Sequence, residues 1–478
     1  MKYTIIGGGP SGIFTALLLA TKDSNNDITI LEKWDTLGGA HRVDRDGYGK
    51  NFSEHGPRIY MTNYFKFEKL LELCNVNFRD HMIDYKYDFV VGLRGLLKSA
   101  NILEIYQISI NYLIFIIYPG YFEGLSVDDV FPNFSKNAKD YINKICTLTD
   151  GATSMTYSAS AFFSIFNQNA FYKIVEPNVP NDIWLWHPVI EKLKSLGVKI
   201  LYNKDIKTIE QDDSGYIIKT KNDEYKSDSL IITTPPLHSA KLFKESDTLK
   251  YSFFNSIAEI DNYAVENSYI PYISFTLHFE EKIDVPDVWG NGFGEWGVAW
   301  IVMSDYFEGN MGNKTNTLIS ALIVNLDTKS SFTNKTANQT IDKKELMSEA
   351  YRQINLLLKI QETPTLILNK RVEYKNNQWI TDDTPFMKTK KTTYIDSFPI
   401  NSNFKNLYWV GPHNGNNIYQ FTSMENVCEN VLSFYLKLYP EDKDIYISNG
   451  IFTLNTMLMS LILVIIIAYH IIKTYTQV

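Results

Sequence analysis

The residues best placed to do chemistry open the chain. Tyr3-Thr4-Ile5-Ile6 is a short apolar run that ends in Gly7-Gly8-Gly9-Pro10-Ser11-Gly12 and continues as Ile13-Phe14-Thr15-Ala16-Leu17-Leu18-Leu19-Ala20. This reads as strand, glycine turn and buried helix. The G-x-G-x-x-G spacing suits a dinucleotide. Gly7 permits the tight turn, Gly9 lets a pyrophosphate reach the backbone, and Gly12 lets helix and strand pack closely. The phosphates then sit at the positive end of the helix, where Pro10 and Ser11 lie. The next strand, Asp27-Ile28-Thr29-Ile30-Leu31, ends in Glu32, twenty residues beyond Gly12. That is where a carboxylate takes the ribose hydroxyls of an adenosine.

After Glu32 the chain reads Lys33-Trp34-Asp35-Thr36-Leu37-Gly38-Gly39-Ala40-His41-Arg42. An acidic residue followed at this distance by Gly-Gly and an Arg resembles the FAD signature of the flavin amine oxidase superfamily, which includes protoporphyrinogen oxidases, phytoene desaturases and UDP-galactopyranose mutases. The resemblance implies FAD rather than NAD. It places Gly38 and Gly39 against the pyrophosphate and Arg42 opposite its charge, beside Glu32 and Lys33. Glu54-His55-Gly56-Pro57-Arg58 resembles the Gly-Pro turn of protoporphyrinogen oxidases, whose backbone lies near the flavin ring. Gly56, Pro57 and Arg58 are therefore expected to contact the cofactor.

Two later segments extend the same resemblance. Between Val198 and Pro236, alternating apolar residues and the turn Asp213-Ser214-Gly215 indicate a hairpin. It is followed by a buried strand, Leu230-Ile231-Ile232, which Pro235-Pro236 stop. In the family a residue near Ile206 offers its backbone to the adenine. At the C-terminal side, Asn406-Leu407-Tyr408-Trp409-Val410-Gly411 is an apolar strand, and Thr422-Ser423-Met424-Glu425 begins a helix with Thr422 and Glu425 at capping-box spacing. A helix N-terminus at this place would stabilise negative charge on a reduced flavin. Gly411, Ser423 and Met424 are its expected contacts. The family's strand ends Gly-Asp, whereas here Pro412 follows Gly411, so the usual ribityl contact is lost or passes to His413 or Asn414.

The reaction is less marked. Amine oxidases of the superfamily hold a water near the flavin with a strand lysine, and the corresponding place here is Ser274, with Lys282 past the strand. An oxidase or desaturase acting on a hydrophobic small molecule is favoured on that ground. The alternatives are a flavin amine oxidase, a redox-neutral enzyme resembling UDP-galactopyranose mutase, or a binding protein resembling the GDP-dissociation inhibitors. The catalytic residues are not legible; His55 and His413, which lie near the expected flavin, are the candidate proton carriers. Trp296, Trp300, Tyr374 and Trp379 are plausible pocket residues. No Ser/His/Asp triad and no metal-ligand spacing occurs. Cys74, Cys146 and Cys428 are far apart and read as buried thiols. No cysteine lies near Tyr419, the usual attachment position, so a covalent flavin link is not expected.

These residues need a scaffold. The chain of 478 residues is long enough for two packed domains. The expected architecture is α/β: a discontinuous Rossmann-type FAD-binding domain over 1–80, 191–239 and 399–440, with an α+β substrate domain inserted as 81–190 and 240–398. A net charge of −8 without a Lys/Arg-rich run argues against a nucleic-acid partner. From Ile451 to Ile472 the sequence carries no formal charge. It reads as a single C-terminal transmembrane helix anchoring a cytosolic main domain to a membrane. The apolar run Ile108 to Tyr118 is half a span and reads as a core helix, or as a segment dipping into the interface. Asn-x-Ser/Thr triplets at Asn51, Asn133, Asn313, Asn334 and Asn338 carry no weight without a signal peptide.

Overall fold

Runs of β-branched residues with no polar alternation must be covered on both faces, and in the computed structural model they form the central parallel sheet. The structure describes residues 1–46, 51–56, 59–85, 89–150, 152–167, 172–266, 271–285, 289–305, 307, 315–381, 399–416, 422–445 and 453–476. The sheet is ordered Leu407–Trp409, Ser229–Ile232, Lys2–Ile6, Asp27–Leu31, Lys199–Leu201. Ile5 pairs with Ile30 on one side and Ile231 on the other, and all three are fully buried. The sheet thus takes strands from three separate stretches of the chain.

Its two faces are covered differently. On one lie the helices Pro10–Lys22, Phe65–Glu72 and Met424–Leu438, joined through Phe14, Phe67 and Val431. On the other lies the antiparallel meander Ile206–Asp212, Gly215–Thr220 and Glu224–Ser227, with the helix Pro236–Glu245. The hairpin turn inside the meander closes as its residues suggest, with the Ser214 N–H donating to Asp212 Oδ1 at 2.7 Å.

A second sheet is antiparallel, ordered Trp289–Phe293, Val298–Val302, Thr317–Ile323, Ile273–Phe279, Thr365–Leu368. The helix Lys343–Leu358 packs on it over a core that includes Trp296, Trp379 and Ile354. A third core, rich in phenylalanine, is helical and joins Ile102–Ile117, Lys136–Asp150 and Ala159–Phe166.

The structure corrects the expectation of a C-terminal transmembrane helix. Among the described residues no helix is long and apolar enough to cross a membrane, so the single-pass, membrane-anchored localisation falls with it. The helix in that region is Leu454–Thr476. Asn455, Thr456 and Ser460 interrupt its first turns. The unbroken apolar stretch from Leu461 to Tyr469 rises only about 14 Å at helical pitch, roughly half of a bilayer's hydrocarbon thickness. The first turn is tied to the helical core, because Tyr112 Oη donates to Asn455 Oδ1 at 2.7 Å. The run Ile108 to Tyr118 forms the second half and the C-cap of the helix Ile102–Ile117, which buries Phe115 but exposes Tyr106, Ile110, Leu113 and Ile117. It is a surface helix packed on one side rather than a core helix.

Candidate cofactor site

A cleft of about 580 Å³ opens at the C-terminal ends of the parallel strands, the place where open α/β sheets bind ligands. The first helix reaches it with its N-terminus. Gly9 is the N-cap and offers no side chain, so the leading N–H groups have no side-chain cap. The close approach of helix to strand is set by Gly12, where a Cβ would lie 2.0 Å from the Gly7 carbonyl oxygen. The second glycine turn lies directly against the first. The Gly38 N–H donates to the Gly8 carbonyl at 2.8 Å. Gly39 has φ +55°, and a Cβ there would come within 2.9 Å of Gly9 Cα. Two turns separated by a strand and a helix therefore form one backbone cradle. A Cβ built on Gly9 would meet nothing closer than Gly39 Cα at 3.8 Å, so the space in front of it is open to a ligand.

Glu32 is held at the rim of this cradle. Its Oε2 accepts the Gly8 N–H at 2.6 Å and its Oε1 accepts the Trp34 N–H at 2.9 Å. A buried carboxylate fixed by two backbone donors keeps lone pairs free for hydroxyl groups in the cleft. Arg42 lines the cleft and is buried, with Nε 3.8 Å from Asp44 Oδ2.

The far wall comes from the third stretch of chain. Gly411 lines the cleft, and its N–H donates to Asn414 Oδ1 at 2.9 Å, closing the short turn Pro412–Asn414. Asn414 Nδ2 also donates to the Trp409 carbonyl, at 3.0 Å. Asn414, one of the two residues offered to take over from the family's aspartate, is thus engaged with its own turn. His413 faces the cleft, its ring 4.3 Å from that of Trp409. Burial pushes the imidazole down to about 3, so it is neutral at physiological pH.

The helix Met424–Leu438 points its N-terminus into the same cleft. The expected capping box between Thr422 and Glu425 is not formed. Ser423 is the N-cap, its Oγ accepting the Asn426 N–H at 3.2 Å. Glu425 turns away and accepts the N–H groups of Lys66 at 3.0 Å and Phe67 at 3.0 Å. It thereby caps the neighbouring helix Phe65–Glu72. Burial pushes the Glu425 carboxyl up to about 7. Lys66 is wholly buried with it, its Nζ 2.7 Å from Glu429 and 3.8 Å from Glu425. On the cleft side the Thr422 N–H donates to Asp150 Oδ1 at 3.1 Å, and Tyr157 donates to Asp150 Oδ2 at 2.7 Å. Burial raises Asp150 to about 6.

The structure brings Gly7, Gly9, Pro10, Ser11, Glu32, Lys33, Gly39 and Arg42 to this one cleft, together with Ile206, Gly411, His413 and Ser423. Gly12 and Gly38 act behind it, in packing, and Met424 is buried in the core under the helix. His55 and Gly56 lie outside the cleft, where the strand Phe52–Glu54 meets the antiparallel sheet. The His55 ring is 4.7 Å from that of Tyr272, whose hydroxyl is hydrogen-bonded to Nε2. Pro57 and Arg58 lie outside the described residues. Trp34, Lys204, Thr233, Thr234 and Thr422 also line the cleft. Of these, Thr233 had a visible signal: it ends a buried strand at the height of the glycine turn, and its Oγ1 donates to the Ile6 and Gly7 carbonyls at 2.9 Å each.

The candidate pocket aromatics are core residues instead. Trp296 and Trp379 are fully buried, and Trp379 Nε1 donates to the Ala337 and Thr340 carbonyls at 3.1 Å each. Trp300 packs in the same core and Tyr374 packs against it. Ser274 is buried in the strand Ile273–Phe279, which carries no lysine. The three cysteines are free and buried.

Parallel sheet, paired glycine turns and a tethered glutamate define a dinucleotide-dependent protein. The model of the flavin containing amine oxidoreductase family matches residues 10–420, and the chain belongs to that family. It is accordingly a flavin-dependent oxidoreductase. Solved structures share the fold at low identity. One is an oxidoreductase from Methanosarcina mazei, 13% identical with a TM-score of 0.61, over 91% of this chain and 99% of that one. Another, from Exiguobacterium sp. 255-15 and assigned as a protoporphyrinogen oxidase, is 12% identical with a TM-score of 0.59, over 92% and 99%. A putrescine oxidase bound to putrescine is 12% identical with a TM-score of 0.62, over 92% and 99%. No curated protein matches by sequence.

Proposed function

We propose that the protein is an FAD-dependent oxidoreductase that dehydrogenates a small, predominantly apolar molecule. The observation that carries the cofactor is the pre-set Glu32 carboxylate, held by Gly8 and Trp34 at the rim of a cradle made from two touching glycine turns. In this reading Glu32 takes the ribose hydroxyls, and Ile206 meets the adenine. The N-terminus of the first helix, with Ser11, Gly39 and Arg42, holds the pyrophosphate. Gly411 and Ser423 meet the flavin half. When bound, the flavin supplies two-electron chemistry at N5.

The protein's own groups set the conditions for that chemistry. The N-terminus of Met424–Leu438 offers positive potential where negative charge would develop. His413, being neutral, adds hydrogen-bonding capacity there without adding charge. His55, bonded to Tyr272, is the better proton carrier of the two histidines, because His413 binds a proton only in strong acid. The apolar substrate is supported by Tyr272 packed against His55 and Leu322 against Gly56, and by Ser274 standing where an amine oxidase would place lysine. Amine oxidation is the second reading, favoured by the family match.

Anaerobic mixing of the flavin-loaded protein with two panels separates the readings. Bleaching of the flavin band by apolar compounds with activated C–H bonds, and not by primary or secondary amines, is the expected result. Bleaching by amines alone overturns the substrate class and leaves the cofactor in place.

A further inference from the structure

We infer that Asp150, a buried carboxylate supplied by the helical unit, is a positioning residue for the cofactor: it tethers the chain entering the helix Met424–Leu438 at the flavin half of the cleft, and its charge weights the cofactor towards the oxidised form. This inference rests on the FAD reading. Asp150 ends the helix Lys136–Asp150 and is 8% exposed. Its Oδ1 accepts the Thr422 N–H at 3.1 Å and its Oδ2 accepts the Tyr157 hydroxyl at 2.7 Å. Thr422 and the N-cap Ser423 both line the cleft. One carboxylate thus joins the helical unit to the point where a helix N-terminus meets the ligand space.

The placement is costly. An anion in the last turn of a helix lies at that helix's negative pole, and burial penalises it further. The Thr422 and Tyr157 donors offset part of the penalty, since hydrogen bonds to a charged acceptor are strong ones.

Across Thr422 the carboxylate faces the positive end of Met424–Leu438, whose N-cap is the next residue. An anion at that pole takes up potential that would otherwise fall on a ligand in the cleft. A cofactor that gains negative charge on reduction is therefore disfavoured in its reduced state while Asp150 is ionised. By linkage, reduction favours protonation of Asp150. Burial raises the Asp150 carboxyl to about 6, against the lowering by its Tyr157 and Thr422 hydrogen bonds, so the ionised form prevails above that pH. The other titratable groups near it are the Cys146 thiol and the phenols of Tyr157 and Tyr64, all kept neutral by burial. Asp128 lies beyond Cys146, and Glu425 lies beyond Tyr64.

Substitution separates the tether from the charge. D150N keeps an oxygen for the Thr422 N–H and an amide that donates to the Tyr157 oxygen, and it loses the charge. D150A loses the tether as well. The midpoint potential of the flavin-loaded full chain, read against a reference dye, gives the ratio of FAD dissociation constants in the oxidised and reduced states. At pH 8, D150N is expected to shift that ratio on the order of 10-fold in favour of reduced FAD, the scale of a Coulomb interaction across one residue at intermediate dielectric. As pH falls below about 6 the wild type should approach D150N, and at pH 5 the two should agree within about 2-fold. Y157F, which takes a donor from the ionised carboxylate, should move that change to higher pH. D150A should weaken binding of oxidised FAD about 3- to 10-fold, the worth of one hydrogen bond, with D150N within about 2-fold of wild type. If D150A does not fold, D150N and Y157F carry the test. A D150N ratio equal to the wild-type one at pH 8 overturns the inference. So does a change near pH 6 that survives in D150N and hence belongs to Glu425, or a D150A variant that binds FAD as the wild type does. A wild-type protein that binds no FAD overturns the cofactor reading instead.

Discussion

The cofactor cleft and the antiparallel sheet beside it are built by different means. In the cleft the backbone decides: two glycine turns touch, Glu32 is held by N–H groups, and the side chains that matter are short or tethered. In the sheet unit the side chains decide. Trp296, Trp379, Phe275 and Ile354 fill a core whose members come from distant parts of the chain. The first arrangement fixes atoms for a ligand and the second fixes the walls around it. Arg371 joins the two, since it follows the strand Thr365–Leu368 of the sheet unit and its Nη2 donates to Asp35 in the cleft loop.

The contrast can be broken most severely at the buried charge cluster under the closing helix. Lys66→Met strands Glu425 and Glu429 in the core, and removing one partner of such a cluster costs about 3–5 kcal/mol. Urea unfolding should show that loss, with flavin content falling because the helix Met424–Leu438 is displaced. The raised Glu425 carboxyl adds a pH signature. Between its ordinary 4.5 and about 7 the folded chain binds the extra proton, so this group's contribution falls as pH rises through that window.

Trp379→Ala sharpens the comparison from the other side. Emptying a fully buried indole site should cost roughly 3–5 kcal/mol. The FAD affinity of the folded protein should stay within about 2-fold of wild type, since additivity holds for distant sites. Gly12→Ala does the reverse. Its Cβ would sit 2.0 Å from the Gly7 oxygen, and such overpacking costs about 1–3 kcal/mol. The flavin should be lost entirely, as judged by absorbance of the purified variant. Glu32→Gln removes the charge and leaves one oxygen acceptor for the two backbone donors, Gly8 N–H and Trp34 N–H. FAD affinity should fall on the order of 10- to 100-fold, with a loss of about 1–3 kcal/mol in urea unfolding from the unpaired N–H.

The smallest effect is expected at His413. It titrates at about 3 when folded against 6.5 when exposed, so the unfolded chain takes up the extra proton between those values. The stability it confers is complete above 6.5 and is lost as pH falls towards 3. His413→Asn should flatten the difference in urea midpoint between pH 7 and pH 5, worth on the order of 1–2 kcal/mol.

What the sequence disclosed follows the same division. The strand, glycine turn and helix of residues 3–20, the Glu32 position and the second glycine pair are local patterns whose backbone geometry admits few residue types, so they are readable one segment at a time. The hairpin after Ile206 was legible for the same reason, through Asp213-Ser214-Gly215, whereas the third strand of the meander, Glu224–Ser227, was not. Contacts between distant segments were not. Glu425 reads as half of a capping box with Thr422, yet it caps the helix Phe65–Glu72 across 359 positions of sequence. Trp379 reads as a pocket wall, yet its indole is bonded inside a core. The tail reads as a bilayer span because it lacks charge over 451–472, and the overstatement comes from its uncharged polar residues, which shorten the apolar stretch.

The most direct test of the account is the absorbance spectrum of the purified protein, followed by acid precipitation and identification of any yellow chromophore in the supernatant. The account predicts flavin bands and the release of FAD in stoichiometric amount, with no flavin left on the precipitated chain. A well-folded, colourless protein that also refuses added FAD would contradict it.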